Sequence, residues 1–233
     1  MTQPETPPRR WPLVLVALSF VVMLGIWVVD RVLMPVFQPL IGQKVTSARD
    51  VVRVDILGEA LRVPANYIRF SDQRRGGRLP RLDLFAVLPD LSGFSAEREA
   101  DFSDTSATSP LVFIAITPRE EGPNVVVRLA AVYQRHFTGA PIAGPDGLIG
   151  RTMAAGSGYD GETVYFEAGS TSPFVARCFP AETTTAPASC LRELEIGLGL
   201  TLLYRFRAHH LGGWRRMDDS VTRLGRSLLA PSP

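Results

Sequence analysis

The sequence predicts a mainly β fold: an antiparallel β-sandwich or meander with one C-terminal amphipathic helix, preceded by a single N-terminal transmembrane helix. Three observations predict it. Short β-favouring runs recur between turn residues from Val51 onward. No helix-length periodic segments alternate with these runs, which disfavours a parallel doubly wound sheet. An uncharged apolar stretch near the N-terminus is long enough to cross a bilayer.

That stretch, the nineteen residues Trp11 to Val29, carries one hydroxyl and no charge. At about 1.5 Å per residue it matches a hydrocarbon core of ~30 Å, and a helix satisfies its own backbone there. Arg9 and Arg10 precede it, Asp30 and Arg31 follow it, and Trp11 and Trp27 fall near its two ends, where indoles favour headgroups. A cleavable signal peptide is the rival reading, but the run exceeds the usual apolar region of ~7–15 residues and no small-x-small pattern follows it. The expected organisation is a cytoplasmic tail over 1–10, a membrane helix over 11–34, a juxtamembrane stalk over 35–48 and a β-rich domain over 49–229. Arg9 and Arg10 against Arg31 and Lys44 bias the N-terminus inward. An even pair of cysteines, Cys178 and Cys190, suits an oxidising compartment for the rest. The predicted location is the inner membrane, with the C-terminal domain periplasmic. Pro35 and Pro39 interrupt the apolar segment Val32 to Gly42, which therefore reads as a stalk near the membrane surface or as a first packing segment of the domain.

Strands are predicted over Val51–Ile56, Leu82–Leu88, Leu111–Ile116, Val125–Tyr133, Thr163–Glu167, Phe174–Cys178 and Leu191–Phe206. In the last, Ile196, Leu198, Leu200, Leu202, Tyr204 and Phe206 share one face, while Glu195, Gly197, Gly199, Thr201, Arg205 and Arg207 share the other. Leu203 alone breaks the alternation. Gly197 and Gly199 on one face suggest either a close approach from another group or a bulged strand. Asp160-Gly161 is the pair that a tight hairpin turn prefers. Cys178 and Cys190 flank a Thr- and Pro-rich connection that a disulfide would clip, with two buried thiols as the alternative; no CxxC or paired-histidine spacing supports a metal site. Leu211, Trp214, Met217, Val221, Leu224 and Leu228 recur at three and four, giving a helix whose apolar stripe packs on the sheet, or else lies on a membrane or in a partner's groove.

Composition narrows the partners. Taking Arg9, Arg10, Arg31 and Lys44 from 25 basic residues, and Glu5 and Asp30 from 23 acidic ones, leaves the remainder formally neutral. Neutrality outside the cytosol argues against nucleic acid, which is bound by clustered positive charge. No G-x-S-x-G, HExxH, P-loop, CxxC or EF-hand pattern occurs, so no catalytic residue, metal or cofactor is assigned. His209 and His210 are adjacent and would diverge on a strand; His136 follows a predicted strand. The loop PANYIRFSDQRRGGRLPR gathers Arg69, Arg74, Arg75, Arg78 and Arg81 around Gly76-Gly77, a candidate site for phosphate, carboxylate or a partner protein, although Asp72 and Asp83 offer local pairing. SGFSAEREADFSDTSATS reads as an exposed loop with one helical turn.

The segments VPANYIRF, DQRRGG and PDLSG, over roughly residues 50–95, resemble those of small uncharacterised proteobacterial proteins with one N-terminal span. The resemblance implies a tethered exported domain and no activity. The expected function is therefore a single-span inner-membrane protein whose periplasmic β-domain is a binding or assembly module for an envelope partner. Two alternatives stand beside it: a periplasmic hydrolase or transferase joining a residue such as His136 to a nucleophile such as Ser157, or a β-domain holding a lipid or other apolar ligand.

Overall fold

Period-two alternation does most of the folding. Strands β4 (Leu82–Val87), β5 (Leu111–Pro118), β6 (Phe137–Ala143), β7 (Leu148–Met153), β8 (Thr163–Glu167), β9 (Val175–Phe179), β10 (Ser189–Ile196) and β11 (Leu200–Arg207) join in one sheet, ordered β4-β5-β11-β10-β9-β8-β7-β6. Every neighbouring pair is antiparallel. The run from β6 to β11 is a meander of consecutive neighbours. The computed structural model describes residues 45–182 and 186–230. Residues from Val45 onward form one compact unit. The predicted tail, membrane helix and most of the stalk lie outside the described residues; among those, no helix is long and apolar enough to cross a membrane.

A second, small sheet contains β1 (Val51–Ile56), β2 (Glu59–Pro64) and the two-residue β3 (Gly77–Arg78), in the order β2-β1-β3. Its Val54, Ile56, Leu61 and Val63 share one core with Leu84, Ile114, Leu202 and Tyr204 of the large sheet. The C-terminal helix completes that core. Two shorter helices, α1 (Glu99–Ser103) and α2 (Val125–Ala131), precede it, and α3 (Trp214–Leu228) buries Trp214, Met217, Val221 and Leu228, as the stripe predicts. Leu211 belongs to the preceding 3₁₀ turn. Where α3 meets β11, Gly225 allows a close approach: a Cβ there would sit 2.6 Å from Leu202 Cδ1, which would have to shift. A buried polar trio also fastens the helix to the sheet. Tyr204 Oη donates to Asp218 Oδ1 at 2.8 Å, and Arg192 Nε donates to the same oxygen at 3.3 Å.

Several predicted elements are corrected. Val125–Tyr133 is helix α2 with a 3₁₀ turn, not a strand, because Asn124 Oδ1 accepts from Val127 N at 3.0 Å and starts a helix against β-branched propensity. Leu191–Phe206 is two strands, β10 and β11, turning at Gly197–Gly199, so Leu198 is 90% exposed instead of inward-facing. The two glycines do receive a close approach: the Glu59 carboxylate accepts from the amides of Leu198 and Gly199 and lies against the Cα of Gly197. Gly197 has φ +60°, which also favours glycine. The β7–β8 hairpin turns through residues 154–162, not through a two-residue Asp160-Gly161 loop; Asp160 instead accepts from the Gly156 amide within the loop. β2, β6 and β7 lack a sequence prediction.

Cys178 and Cys190 face each other directly on β9 and β10 and are disulfide-bonded, with Cα atoms 4.0 Å apart. A covalent closure of this loop length contributes about 3 kcal/mol in the chain-entropy account. C178A/C190A is therefore expected to unfold at lower urea concentration, by about 3 kcal/mol in ΔG with an unchanged structure. Coincident unfolding curves for reduced and oxidised protein would contradict this.

Candidate binding face

The face of the large sheet turned away from the shared core is covered at its two ends and open between them. At one end Phe85, Val87, Phe94 and Leu111 form a small cluster in which Phe102 of α1 meets Phe85 edge-on at 4.8 Å. The loop expected to be a solvated connection thus also caps the sheet. At the other end α2 and the turn after it cover β7, β8 and β9 through Leu129, Tyr133, Met153, Val164 and Val175. Between these covers lies a trough of about 490 Å³ whose floor includes Phe113, Ala115, Leu191 and Leu203.

Register determines which charges reach it. Arg205 pairs across to Phe113 on β5 and to Leu191 on β10, and Leu203 pairs to Ala115 and Glu193, so these side chains share the open face. Arg207 projects from the same face two residues on. Arg69 enters from the loop before β4, its guanidinium 4.7 Å from the Phe113 ring centre, and Arg81 stands at the start of β4. Burial pushes the Arg69 pKa down, an effect that Asp83 opposes and Arg81 adds to.

The pairing of these charges is uneven. Asp83 accepts from Arg81 at 2.8 and 3.0 Å, Glu193 pairs with Arg128, Glu195 lies 3.7 Å from Arg119, and Glu162 takes two hydrogen bonds of 2.7 Å from Arg177. Arg205 and Arg207 instead donate to neutral oxygens, Arg205 Nε to Ser189 Oγ at 3.0 Å and Arg207 Nη2 to Thr105 O at 3.1 Å. Hydrogen bonds from Ser106, with a smaller pull from Arg207, hold the exposed Asp104 carboxyl below its usual range. The carboxylates across this face are matched by arginines, and one end retains positive charge over an apolar floor.

Of the five arginines in the predicted loop, Arg69 and Arg81 line the trough. Arg74 Nη1 folds back to donate to Ile68 O at 2.9 Å, and Arg75 and Arg78 are exposed outside the trough. Gln73 braces the loop, donating to Arg81 O and Asp83 Oδ2 and accepting from Asp83 N at 2.8 Å. Sequence reading missed Arg205 and Arg207 as partners of this loop; their signal was two arginines at alternate positions on a strand's polar face.

The remaining candidates lie elsewhere. His136 sits in the turn before β6, and Ser157 Oγ accepts from Tyr159 N at 3.1 Å within its own turn; neither lines the trough. His209 and His210 follow β11 in a 3₁₀ segment, where His210 Nε2 is 2.8 Å from Ser109 O. Among the described residues no three His, Cys, Asp or Glu side chains converge as a metal set. The exposed edge strand β6 carries a register shift between Thr138 and Ile142, Gly139 at φ +65° and Pro141, features that discourage strand addition.

No protein-family model matches the chain, and no curated protein matches it. Two solved structures share the fold. One is an immunity protein of the Stenotrophomonas maltophilia type IV secretion system, 15% identical, with a TM-score of 0.53 over 78% of this chain and 94% of that one. The other is the iron-regulated outer membrane lipoprotein FrpD of Neisseria meningitidis, 12% identical, with a TM-score of 0.50 over 79% of this chain and 95% of that one.

Proposed function

We propose that this protein is a membrane-tethered binding module of the cell envelope, anchored by Trp11–Val29, whose β-domain engages a protein partner through the open trough on the large sheet. The observation that carries the reading is the trough itself: an apolar floor of Phe113, Leu191 and Leu203 beside Arg205 and Arg207, which donate to the neutral oxygens of Ser189 and Thr105. Exposed apolar surface rimmed by polar groups marks interaction sites, and arginine is enriched where proteins meet. The two fold neighbours, named as a secretion-system immunity protein and an outer membrane lipoprotein, support an envelope setting.

Site-specific photo-crosslinking in intact membranes tests it. With p-benzoylphenylalanine at position 113 of the full-length chain, irradiation is expected to give a discrete protein adduct that is absent when the same group replaces Leu57, which is 77% exposed in the β1–β2 turn. Equal adducts from both positions, or none from position 113, would contradict the proposal.

A further inference from the structure

The surplus charge in the trough points to the chemistry of its occupant, an inference that rests on the reading of the trough as a protein-binding face. Arg205 and Arg207 stand two residues apart on one face of β11, so their Cβ atoms are separated by about two strand rises, roughly 6.8 Å. An extended chain carries its own alternate side chains at that same spacing. Guanidinium groups prefer carboxylates and bind them through two parallel hydrogen bonds when both partners have free N–H and oxygen positions. Arg205 uses Nε on Ser189 and Arg207 uses one Nη on Thr105, which leaves each with further donors. The floor beneath them, Phe113, Leu191 and Leu203, suits apolar side chains placed between the acidic ones.

We propose that the trough receives an extended acidic segment of the partner, with carboxylates at alternate positions over Arg205 and Arg207 and apolar side chains on the Phe113–Leu203 floor. The acidic end of the same face is already neutralised by Arg119 and Arg128, so the segment's charge is recognised at the Arg205–Arg207 end only. Beyond that end the paired Glu193 and Glu195 leave no surplus positive charge for further acidic residues, which sets a polarity for the bound chain.

The test uses the full chain in phosphatidylcholine nanodiscs and fluorescence anisotropy of two labelled peptides of equal composition. One alternates aspartate and valine; the other carries them in separate blocks. The alternating peptide is expected to bind at least fivefold more tightly, with affinity falling as salt is raised. R205E/R207E is expected to lose tenfold or more, and R205Q/R207Q, which keeps hydrogen-bonding side chains while removing charge, a smaller part of that. R75E/R78E, outside the trough, is expected to bind as the unsubstituted protein does. Equal binding of the two peptides, equal loss in R75E/R78E, or displacement of the peptide by phosphatidylglycerol vesicles would overturn the proposal. If peptide discrimination fails while the adduct from position 113 persists, the binding face stands and its acidic occupant does not.

Discussion

Asp218→Ala is expected to lower the free energy of unfolding by about 3–5 kcal/mol, the range for removing one partner of a buried ion pair. Asp218 Oδ1 is the shared acceptor for Tyr204, which is fully buried, and for Arg192, whose side chain is 8% exposed. Removing it leaves the Tyr204 hydroxyl and Arg192 Nε without their shared acceptor between α3 and the sheet, while Arg192 Nη1 keeps its hydrogen bond to Glu193 O at 2.9 Å. The Arg192 guanidinium also lies 5.1 Å from the Phe174 ring centre, so its position is already constrained by packing. Asp218→Asn, which keeps an acceptor and removes the charge, is expected to cost roughly half as much. Urea unfolding followed by tryptophan fluorescence and by circular dichroism measures both. A loss below about 1 kcal/mol for the alanine variant would show that the trio does not hold the helix. Burial, then the Asp218 charge and hydrogen bond, push the Tyr204 pKa well above its ordinary value. The folded state therefore keeps that proton when the unfolded chain releases it. Stability from this source is full below pH ~10 and declines as pH rises further.

Trp214→Ala carries the other large effect, about 3–5 kcal/mol, by opening a cavity at the start of α3. The indole is 4% exposed, its ring centre lies 4.5 Å from that of Phe174, and its Nε1 donates to Asp146 O at 3.4 Å. Arg215 stacks on its outer side at 4.3 Å while reaching Asp146 and Glu167. One side chain thus joins helix, sheet and the β6–β7 turn. Trp214→Phe keeps most of the volume and is expected to lose about 1–2 kcal/mol. Equal unfolding midpoints for Trp214→Ala and the unsubstituted chain would contradict the packing described for α3.

What the sequence made legible follows from how local the determining signal was. Thr163–Glu167 matches β8 residue for residue, and the predicted Leu82–Leu88 and Leu111–Ile116 differ from β4 and β5 only at their ends, because β-branched and aromatic runs bounded by turn residues act within the segment. The amphipathic stripe of α3 was legible for the same reason. The β10–β11 turn was hidden by parity. Partners Ile196 and Leu200 share a face in the hairpin, and both positions are even, so apolar residues keep the same alternation through the turn as along one continuous strand. Val125–Ala131 misled because VVVRLAA favours a strand while a single capping residue, Asn124, decided otherwise. β6, with Gly139, Ala140 and Pro141, carries almost no strand signal and pairs only because β7 offers it an edge.

The candidate site was legible in halves. The arginine loop is a local feature and was visible as such, and Arg205 and Arg207 were visible as a strand's polar face. Their meeting depends on β4 pairing with β5, where Phe85 meets Phe113, and on β5 pairing with β11, where Phe113 meets Arg205 from far along the chain, contacts that no local pattern encodes. The Glu59 carboxylate that caps the Gly197–Gly199 turn is a case of the same kind, joined across 140 positions.

Where the domain resides decides what the trough can bind, since a trough facing the cytosol would meet different partners and a different redox environment. Alkaline phosphatase fused after Pro233 of the full-length chain reports this directly, because the enzyme is active only outside the cytosol. High phosphatase activity in the membrane fraction is the expected result. An inactive fusion, or activity recovered in soluble material released without detergent, would contradict a tethered module of the envelope.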